Sequence, residues 1–353
     1  MKQTKKIIEV TLSAVLICLI LSAPASAQTS KKPDAVGLYR VTQADDLGYL
    51  KQGYIDKTGS VVISIQYGLA GDFYEGLACI SLGNRYGYID KFGRYVINPQ
   101  FENAARFSEG VARVNVGNRW GYIDRSGGYV IRPRFEFSGD FSEGLAPAKE
   151  AGIDGYIDRS GRFVIRPRFE TANGFYEGLA AVSVRGKWGY VDKSGSFVIN
   201  PQFDEAGDFS EGLARVKLGE RYGFVDRRGK YAISPEYEVA GEFSEGLVMV
   251  GRGNKYGYLD TTGRYVVAPR FEFARDFSDG LAPVMIAGKY GYIDKTGKLV
   301  IAPRFSDSGD FFDGLASPEV LIKHPSGGSA AYRIYIDKTG RVVWKPKQVR
   351  VVP

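Results

Sequence analysis

A short motif of glycine, an aromatic residue, an aliphatic residue and aspartate recurs along the chain at a fixed spacing. It first occurs at residues 53–56, with Gly59 three residues after Asp56, and it returns every 34 residues. The glycines that open the copies are Gly53, Gly87, Gly121, Gly155, Gly189, Gly223, Gly257 and Gly291. A ninth, altered copy starts at Ile334, after a step of 43 residues. A fixed period of this length predicts a repeat architecture, in which each unit packs mainly on its neighbours.

The residues within one period are typical of β-structure. Residues 213–218 mostly alternate apolar and polar side chains, which predicts a half-buried strand. Residues 221–226 are rich in aromatic and β-branched types, and residues 230–234 form a third run that Pro235 ends. We therefore predict an all-β fold in which residues 37–353 form nine units of about 34 residues, each a three-stranded antiparallel meander followed by a connector.

Two arrangements of these units are possible. A propeller blade normally has four strands, and typical propellers have four to eight blades. Nine units with three clear strands each favour an open superhelical stack. The alternative is a closed β-propeller, in which residues 101–107 and their equivalents would form a fourth short strand in each unit.

The first 27 residues have the layout of a secretory signal peptide: a basic start, an apolar run and a small-residue cleavage site ending at Ala27. The apolar run is too short to span a bilayer, so we expect no membrane span after cleavage. Residues 28–36 are polar and read as a linker. We expect an extracytoplasmic protein, periplasmic or secreted, in which Cys79 has no partner for an internal disulfide.

Two carboxylates recur in every regular unit, and both have a structural interpretation. The aspartate of Asp-x-x-Gly suits a hairpin turn, since its side chain accepts bonds from turn N–H groups; a calcium site would need several oxygen ligands from one loop. The acid of Phe-x-Glu-Gly-Leu-Ala, as at Glu211, is expected to hold backbone N–H groups at the entry to a unit. A glycosidase would need two carboxylates at one cleft rather than eight equivalent copies.

An aromatic residue precedes the repeated glycine in most units, as at Trp120 and Trp188. We expect these rings to lie in the core, and the glycine to allow close approach of a ring from the adjacent unit. The alternative is a row of aromatics that stacks on sugars.

The sequence offers no catalytic constellation, and we predict that the chain is not an enzyme. His324 is the single histidine, and no glycine-rich phosphate loop precedes a helix. No metal site or cofactor is predicted. The formal net charge of +7 is spread along the chain, which does not indicate nucleic-acid binding.

A basic side chain stands two residues before the repeated glycine in seven of the first eight units, with Ile153 as the exception. These candidate binding residues are Lys51, Arg85, Arg119, Lys187, Arg221, Lys255 and Lys289. They would form a stripe that either protects strand edges or binds an anionic polymer.

The residues Lys187-Trp188-Gly189-Tyr190-Val191-Asp192, with the Phe-Ser-Glu-Gly-Leu-Ala segments, resemble the WG-containing repeat, also called the KWG repeat. The resemblance covers roughly residues 37–345, and the first, fourth and ninth units depart from it by placing Gln52, Asp154 and Arg333 at the tryptophan position. It implies an all-β bacterial protein, often exported, with a binding or scaffold role and no catalytic residues. The expected partner is a protein or an anionic envelope polymer; the alternative is a carbohydrate or cell-wall binding module.

Overall fold

The computed structural model describes residues 32–45, 47–323 and 329–346. The predicted signal peptide, residues 28–31 of the predicted linker and His324 lie outside these ranges. Within them the regular elements are all β-strands. None of the described residues belongs to a helix with the length and apolar character needed to cross a membrane.

The strands group into nine sheets, numbered here in chain order, with one extra hairpin in the ninth unit. Sheet 1 contains β1 (Tyr39–Ala44), β2 (Leu50–Ile55) and β3 (Val61–Tyr67); sheet 2 contains β4 (Leu69–Tyr74), β5 (Leu77–Leu82), β6 (Arg85–Asp90) and β7 (Tyr95–Phe101); and sheet 3 contains β8 (Asn103–Ser108), β9 (Val111–Val116), β10 (Arg119–Asp124) and β11 (Tyr129–Phe135). Sheet 4 contains β12 (Phe137–Ser138), β13 (Ala146–Glu150), β14 (Ile153–Ile157) and β15 (Phe163–Phe169); sheet 5 contains β16 (Thr171–Tyr176), β17 (Leu179–Val184), β18 (Lys187–Val191) and β19 (Phe197–Phe203); and sheet 6 contains β20 (Glu205–Ser210), β21 (Leu213–Leu218), β22 (Arg221–Asp226) and β23 (Tyr231–Tyr237). Sheet 7 contains β24 (Val239–Ala240), β25 (Leu247–Arg252), β26 (Lys255–Asp260) and β27 (Tyr265–Phe271); sheet 8 contains β28 (Phe273–Ala274), β29 (Ala282–Ile286), β30 (Lys289–Ile293) and β31 (Leu299–Phe305); and sheet 9 contains β32 (Leu315–Ala316), β35 (Tyr335–Asp337) and β36 (Val342–Trp344), beside the hairpin of β33 (Glu319–Lys323) and β34 (Ser329–Arg333).

Sheets 2–8 each contain four antiparallel strands in chain order, not three. The additional strand is the first of each sheet, and it is built from the segment that the sequence analysis took as a connector. In sheet 6, for example, β20 pairs with β21 through Ala206 opposite Val216 and Phe209 opposite Ala214. The prediction of three strands per unit is therefore wrong for these seven sheets and right only for sheets 1 and 9.

The turns divide the molecule into two faces. The turn between the first and second strands contains Glu211 and Gly212 at φ 54° and 82°, and the turn between the third and fourth strands ends at Gly229 with φ 81°. Only glycine adopts such angles freely. Because the strands alternate in direction, both turns lie on one face, called here the turn face. The hairpins between second and third strands, and the connectors between sheets, lie on the opposite hairpin face.

First strands lie at the centre of the assembly and fourth strands at its rim. Neighbouring sheets contact each other through their first strands, as β4 does with β8 and β16 with β20. The fourth strands bury one side only: in β23, Ile233 and Tyr237 are buried, while Ala232 and Ser234 on either side of Ile233 are exposed.

The core lies between consecutive sheets. Tyr190, Ile199 and Phe203 of sheet 5 pack against Phe209 and Val216 of sheet 6. The Tyr190 ring lies 4.9 Å from the Phe209 ring, and its hydroxyl donates to the Gly207 carbonyl at 2.8 Å. The tyrosine of the repeated motif makes the same contact with the next sheet elsewhere, as Tyr88 does with Phe107. The motif therefore joins each sheet to the one that follows.

The last sheet packs on the first in the same way. The Tyr335 ring lies 5.8 Å from Tyr39, and its hydroxyl donates to the Arg40 carbonyl at 2.6 Å. Lys57 of sheet 1 pairs with Asp313 of sheet 9 at 2.7 Å. The same type of ion pair joins other neighbouring sheets. This seam closes the nine sheets into a ring.

The molecule therefore reads as a nine-bladed β-propeller, which was the alternative, and the favoured open superhelical stack is wrong. The physical reason is the burial of sheet faces. An open stack would leave Tyr39 and Val41 in water, whereas in the ring they are 5% and 1% exposed, in one cluster with Ile55 and Leu315. Burial of apolar area favours closure by about 25 cal/mol per Å².

The repeated glycine makes room for backbone of its own sheet. A Cβ on Gly189 would lie 2.4 Å from the Ile199 carbonyl oxygen and 2.7 Å from the Pro201 nitrogen, both on the fourth strand of the same sheet. The strand pairing shifts register at this point. The expectation that a neighbouring ring approaches this glycine is wrong.

Candidate functional site

The repeated acid of Phe-x-Glu-Gly acts between sheets. Glu177 of sheet 5 accepts the Gly212 N–H of sheet 6 and pairs with Arg227 of sheet 6 at 2.8 Å. The same combination joins Glu143 to Gly178 and Lys193. This contact holds the turn face of one sheet to the next, which agrees with a structural interpretation of these acids.

The aspartate of Asp-x-x-Gly organises its own turn. Asp192 accepts bonds from the Ser194 and Ser196 N–H groups at 2.9 and 3.0 Å, and from the Ser194 hydroxyl at 2.6 Å. The Ser194 hydroxyl and these N–H groups lower the pKa of Asp192. Across the described ranges, no group of three or more His, Cys, Asp or Glu side chains is placed to hold a metal ion.

The seven basic residues predicted from the sequence lie next to the hairpin, Lys51 in β2 of the three-stranded sheet 1 and the other six in the third strand of their sheets. They form a ring on the hairpin face, one in each of seven sheets: Lys51, Arg85, Arg119, Lys187, Arg221, Lys255 and Lys289. The third strand is paired on both sides, as β18 is with β17 and β19, so edge protection does not explain these charges.

Acids of the connectors accompany this basic ring. Lys187 lies 2.5 Å from Asp204, and Arg221 lies 2.9 Å from Glu238. Asp204 also accepts the Gly219 N–H of the next hairpin at 2.7 Å. The hairpin face therefore carries charges of both signs, and binding of an anionic polymer there stays a prediction.

A second charged position, which is not among the candidate residues predicted from the sequence, lies on or just after the first strands in sheets 2–8, at the centre of the ring. It is the residue before the phenylalanine of Phe-x-Glu-Gly, and it is acidic in six of eight units: Asp72, Arg106, Asp140, Gly174, Asp208, Glu242, Asp276 and Asp310. The 34-residue periodicity of these acids was the available signal. It was overlooked because the connector was not expected to form a strand.

A cavity of about 360 Å³ opens at this position between sheets 3 and 6. Its charged lining consists of Arg106, Arg113, Asp140, Lys149, Asp154 and Asp208. The lining thus combines three bases with three acids.

The cavity exists because the fourth unit departs from the repeat. Asp154 stands where other units have an aromatic ring, such as Trp188, which packs into the core beside Phe209 and Ala206. The smaller Asp154 is 4% exposed, and its Oδ2 accepts the Ala172 N–H at 3.1 Å. Its Oδ1 has no hydrogen-bond partner, and the Lys149 ammonium lies 3.8 Å away.

The arginines of the cavity are already paired. Arg106 and Arg113 both reach Asp140, at 3.1 and 3.0 Å. Arg106 also lies over the Tyr74 ring, and Arg113 over the Trp120 ring at 5.1 Å. The single Asp140 carboxylate thus compensates part of the positive charge of the two guanidinium groups. The faces of the Tyr74 and Trp120 rings stabilise the remaining positive charge.

Asp208 is the least compensated charge of the cavity. It is 3% exposed, and it accepts a bond from the Asn173 amide at 3.2 Å. Burial raises its pKa to about 7. Burial likewise raises the pKa of Glu242 to about 8, with the nearby Asp208 and Asp276 charges adding to the shift, and the pKa of Asp276 to about 6.

The site can bind by charge and hydrogen bonding. Cys79 is the free thiol of the described residues. Burial raises its pKa to about 12, so the thiol stays protonated and is a poor nucleophile. Its sulfur donates to the Ala104 carbonyl at 3.5 Å. Neither observation places a nucleophile in the cavity.

Comparison with known proteins gives one family match. The model of the WG containing repeat matches residues 53–86, 86–120, 120–152, 155–188, 188–222, 222–256, 256–290 and 290–317. No curated protein matches the sequence.

Several solved structures are similar at low identity. Apo AztD from Citrobacter koseri is 12% identical with a TM-score of 0.40, over 79% of this chain and 94% of that one. The dihydro-heme d1 dehydrogenase NirN is 12% identical with a TM-score of 0.43, over 88% and 73%. PorZ from Porphyromonas gingivalis is 8% identical with a TM-score of 0.35, over 76% of this chain and 43% of that one.

Proposed function

The chain belongs to the family of WG-containing repeat proteins, and from this premise we propose that it is an exported, non-enzymatic binding protein whose ligand lies in the cavity at sheets 3–6. Residues shared by all units join neighbouring sheets or shape turns. In a repeat protein, function is expected where units differ.

The observation that carries the proposal is the convergence of these differences. Arg106 replaces an acid in unit 3, Asp154 replaces an aromatic ring in unit 4, and Gly174 replaces an acid in unit 5. All three line the same cavity. Gln52 of unit 1 also replaces the aromatic ring, and it accepts the Ala70 N–H at 2.6 Å just as Asp154 accepts the Ala172 N–H. Capping of the next strand therefore accounts for Gln52, while only Asp154 opens onto the cavity.

The test restores the repeat. We expect Asp154→Tyr to fill the cavity and to remove binding of material from the cell-envelope fraction, the predicted source of a protein or polymer partner. Gln52→Tyr is the matched control, because it makes the same change away from the cavity. The measurement is a pull-down with parent and variants, after thermal melts show that all are folded. Equal recovery by the parent and Asp154→Tyr would place the ligand elsewhere.

Export rests on the layout of residues 1–27 and has its own test. The N-terminal sequence of the protein recovered outside the cytoplasm should start at or near Gln28. A cytoplasmic pool that keeps Met1 would contradict this part of the proposal without affecting the cavity.

Carbohydrate binding by aromatic stacking is the second candidate. The observation that favours it is a set of tyrosines on the fourth strands at the rim, which are exposed by 37–44%: Tyr95, Tyr129, Tyr231 and Tyr265. The aromatics before the repeated glycine do not serve this purpose, because they pack on neighbouring side chains, as Tyr256 does on Phe273 at 5.3 Å. Retention of wall polysaccharide that Tyr129→Ala and Tyr231→Ala abolish would favour this candidate over the cavity.

A further inference from the structure

Four carboxylates on consecutive sheets share little positive charge. Asp208, Glu242, Asp276 and Asp310 occupy the same repeat position in units 6–9, and they are called here the carboxylate row; Asp208 and Glu242 are buried, Asp276 is half-buried and Asp310 is exposed. Glu242 lies 3.4 Å from Arg215, while Asp276 is held by the Glu242 and Met249 N–H groups at 3.1 and 3.3 Å. For the described part of the chain, no ion pair within 4 Å is found for Asp208 or Asp310.

The row is built into the packing of the ring. Each of two glycines leaves space for the acid of the next sheet. A Cβ on Gly207 would lie 2.7 Å from Glu242 Oε1, and a Cβ on Gly241 would lie 2.1 Å from Asp276 Oδ1. Alanine at either position would displace the carboxylate, so the close approach of Glu242 and Asp276 to the preceding sheet depends on these two glycines.

Two buried carboxylate oxygens lack hydrogen bonds, which is an observation independent of the acidic pattern. Asp154 Oδ1 lies in the cavity wall with the Lys149 ammonium 3.8 Å away, and Glu242 Oε1, on a side chain that is 6% exposed, lies 3.4 Å from the Arg215 guanidinium. A buried acceptor without a donor costs about 1–3 kcal/mol, more when it is charged. A ligand that carries N–H donors and positive charge would supply the missing bonds and would compensate the charge of Asp208, which has no ion pair within the described part of the chain.

Resting on the proposed function, we propose that the cavity and the carboxylate row together bind a linear cation with several ammonium groups, either an aliphatic polyamine or a lysine-containing peptide segment. The acids lie on successive sheets and do not converge on one point, which suits ammonium groups distributed along a chain rather than one metal ion. An anionic ligand is disfavoured because Asp140 already occupies Arg106 and Arg113.

The test is calorimetric titration of the folded protein at pH 8 and low salt, with spermidine in one arm and pentalysine in the other. The chain has a formal net charge of +7, so non-specific repulsion of cations works against binding, and a binding signal therefore reports a specific site. Binding of spermidine alone assigns a polyamine, and binding of pentalysine alone assigns a peptide. Absence of binding in both arms overturns the proposal.

Isosteric variants connect binding to the acids. Asp208→Asn and Asp154→Asn should each lower the affinity for the cation that binds by tenfold or more. Asp72→Asn is the matched control: Asp72 occupies the same repeat position in sheet 2, but it is exposed and does not line the cavity. Equal affinities for the parent, Asp208→Asn and Asp154→Asn also overturn the proposal.

Failure of cation binding can be distinguished from failure of the cavity as the binding site. If Asp154→Tyr removes the envelope ligand and neither cation binds, the cavity is the site and the ligand is not cationic. If the cations bind with the expected sensitivity, both proposals are supported.

Discussion

Replacing Asp208 by asparagine should increase the free energy of unfolding. This gain should be large at pH 8 and small at acidic pH. The native Asp208 carboxyl has a pKa of about 7, against an ordinary value of 3.8. Asparagine keeps the shape of the side chain, and its oxygen can still accept the Asn173 amide bond. The variant therefore removes the titration while leaving the packing in place.

The sign follows from proton binding in the two states. Between about pH 4 and pH 7 the unfolded chain has lost this proton while the folded chain keeps it, so stability falls as the pH rises. Below pH 4 the Asp208 carboxyl is neutral in both states and does not affect stability. Above pH 7 it is ionised in both states, and the decrease in stability is complete. A shift of about 3 units at about 1.4 kcal/mol per unit sets an upper limit of about 4 kcal/mol. Because the cavity admits water, we expect about 2–4 kcal/mol at pH 8 and less than about 1 kcal/mol at pH 4.5.

Urea unfolding at pH 4.5, 6 and 8 measures this difference, since urea leaves the ionic strength unchanged. Asp72→Asn is the control, because Asp72 is exposed at the same repeat position. A gain from Asp208→Asn that is equal at pH 4.5 and pH 8 would refute the reasoning, because it would not arise from ionisation. A loss of stability at pH 8 would show that the charge is compensated in the folded protein.

Three further outcomes follow from the fold. Excision of residues 189–222 removes one sheet from a closed ring, and we expect loss of the cooperative thermal melt; a fully cooperative melt with a modest decrease in Tm would favour an open stack instead. Phe209→Ala should cost about 3–5 kcal/mol in urea unfolding, since the ring is 1% exposed, and Glu211→Gln should cost less and leave ligand binding intact; loss of binding by Glu211→Gln with an unchanged melt would show that this acid is part of a site. If the basic ring binds anionic polymers, a quadruple variant that combines Arg119→Gln, Lys187→Gln, Arg221→Gln and Lys255→Gln should lose salt-sensitive retention on acidic polysaccharide beads. Unchanged retention of this variant would exclude that role.

The strands of a single unit could be predicted from the sequence because their pattern is local. The runs at 213–218 and 221–226 coincide with β21 and β22, and the third run begins one residue before β23. The first strand was missed because β20 interrupts its apolar residues with Gly207 and Asp208, which alternation rules read as a loop. Those two residues make sense only in the ring, where Gly207 accommodates the acid of the next sheet.

The candidate site was not predicted for a related reason. Asp154 was noticed as a departure from the tryptophan position, yet its consequence depends on which first strands surround it. That arrangement follows from the rotation between sheets, which is a tertiary property and leaves no periodic signal in the sequence. The closure of nine units depends on the same rotation, whereas the preference for an open stack rested on the count of nine units with three clear strands each, which is wrong because the fourth strand was not predicted.

The seam between sheets 1 and 9 has a consequence for how the chain is made. Each sheet is completed within one contiguous stretch, so a chain synthesised from its N-terminus can form sheets one after another. Sheet 1 then stays open, with Tyr39 and Val41 uncovered, until the ninth unit with Tyr335 has been synthesised. A chain cut short after the eighth unit would keep this aromatic face permanently exposed. Such fragments would associate with one another through it, and the last unit therefore protects against aggregation as well as closing the ring.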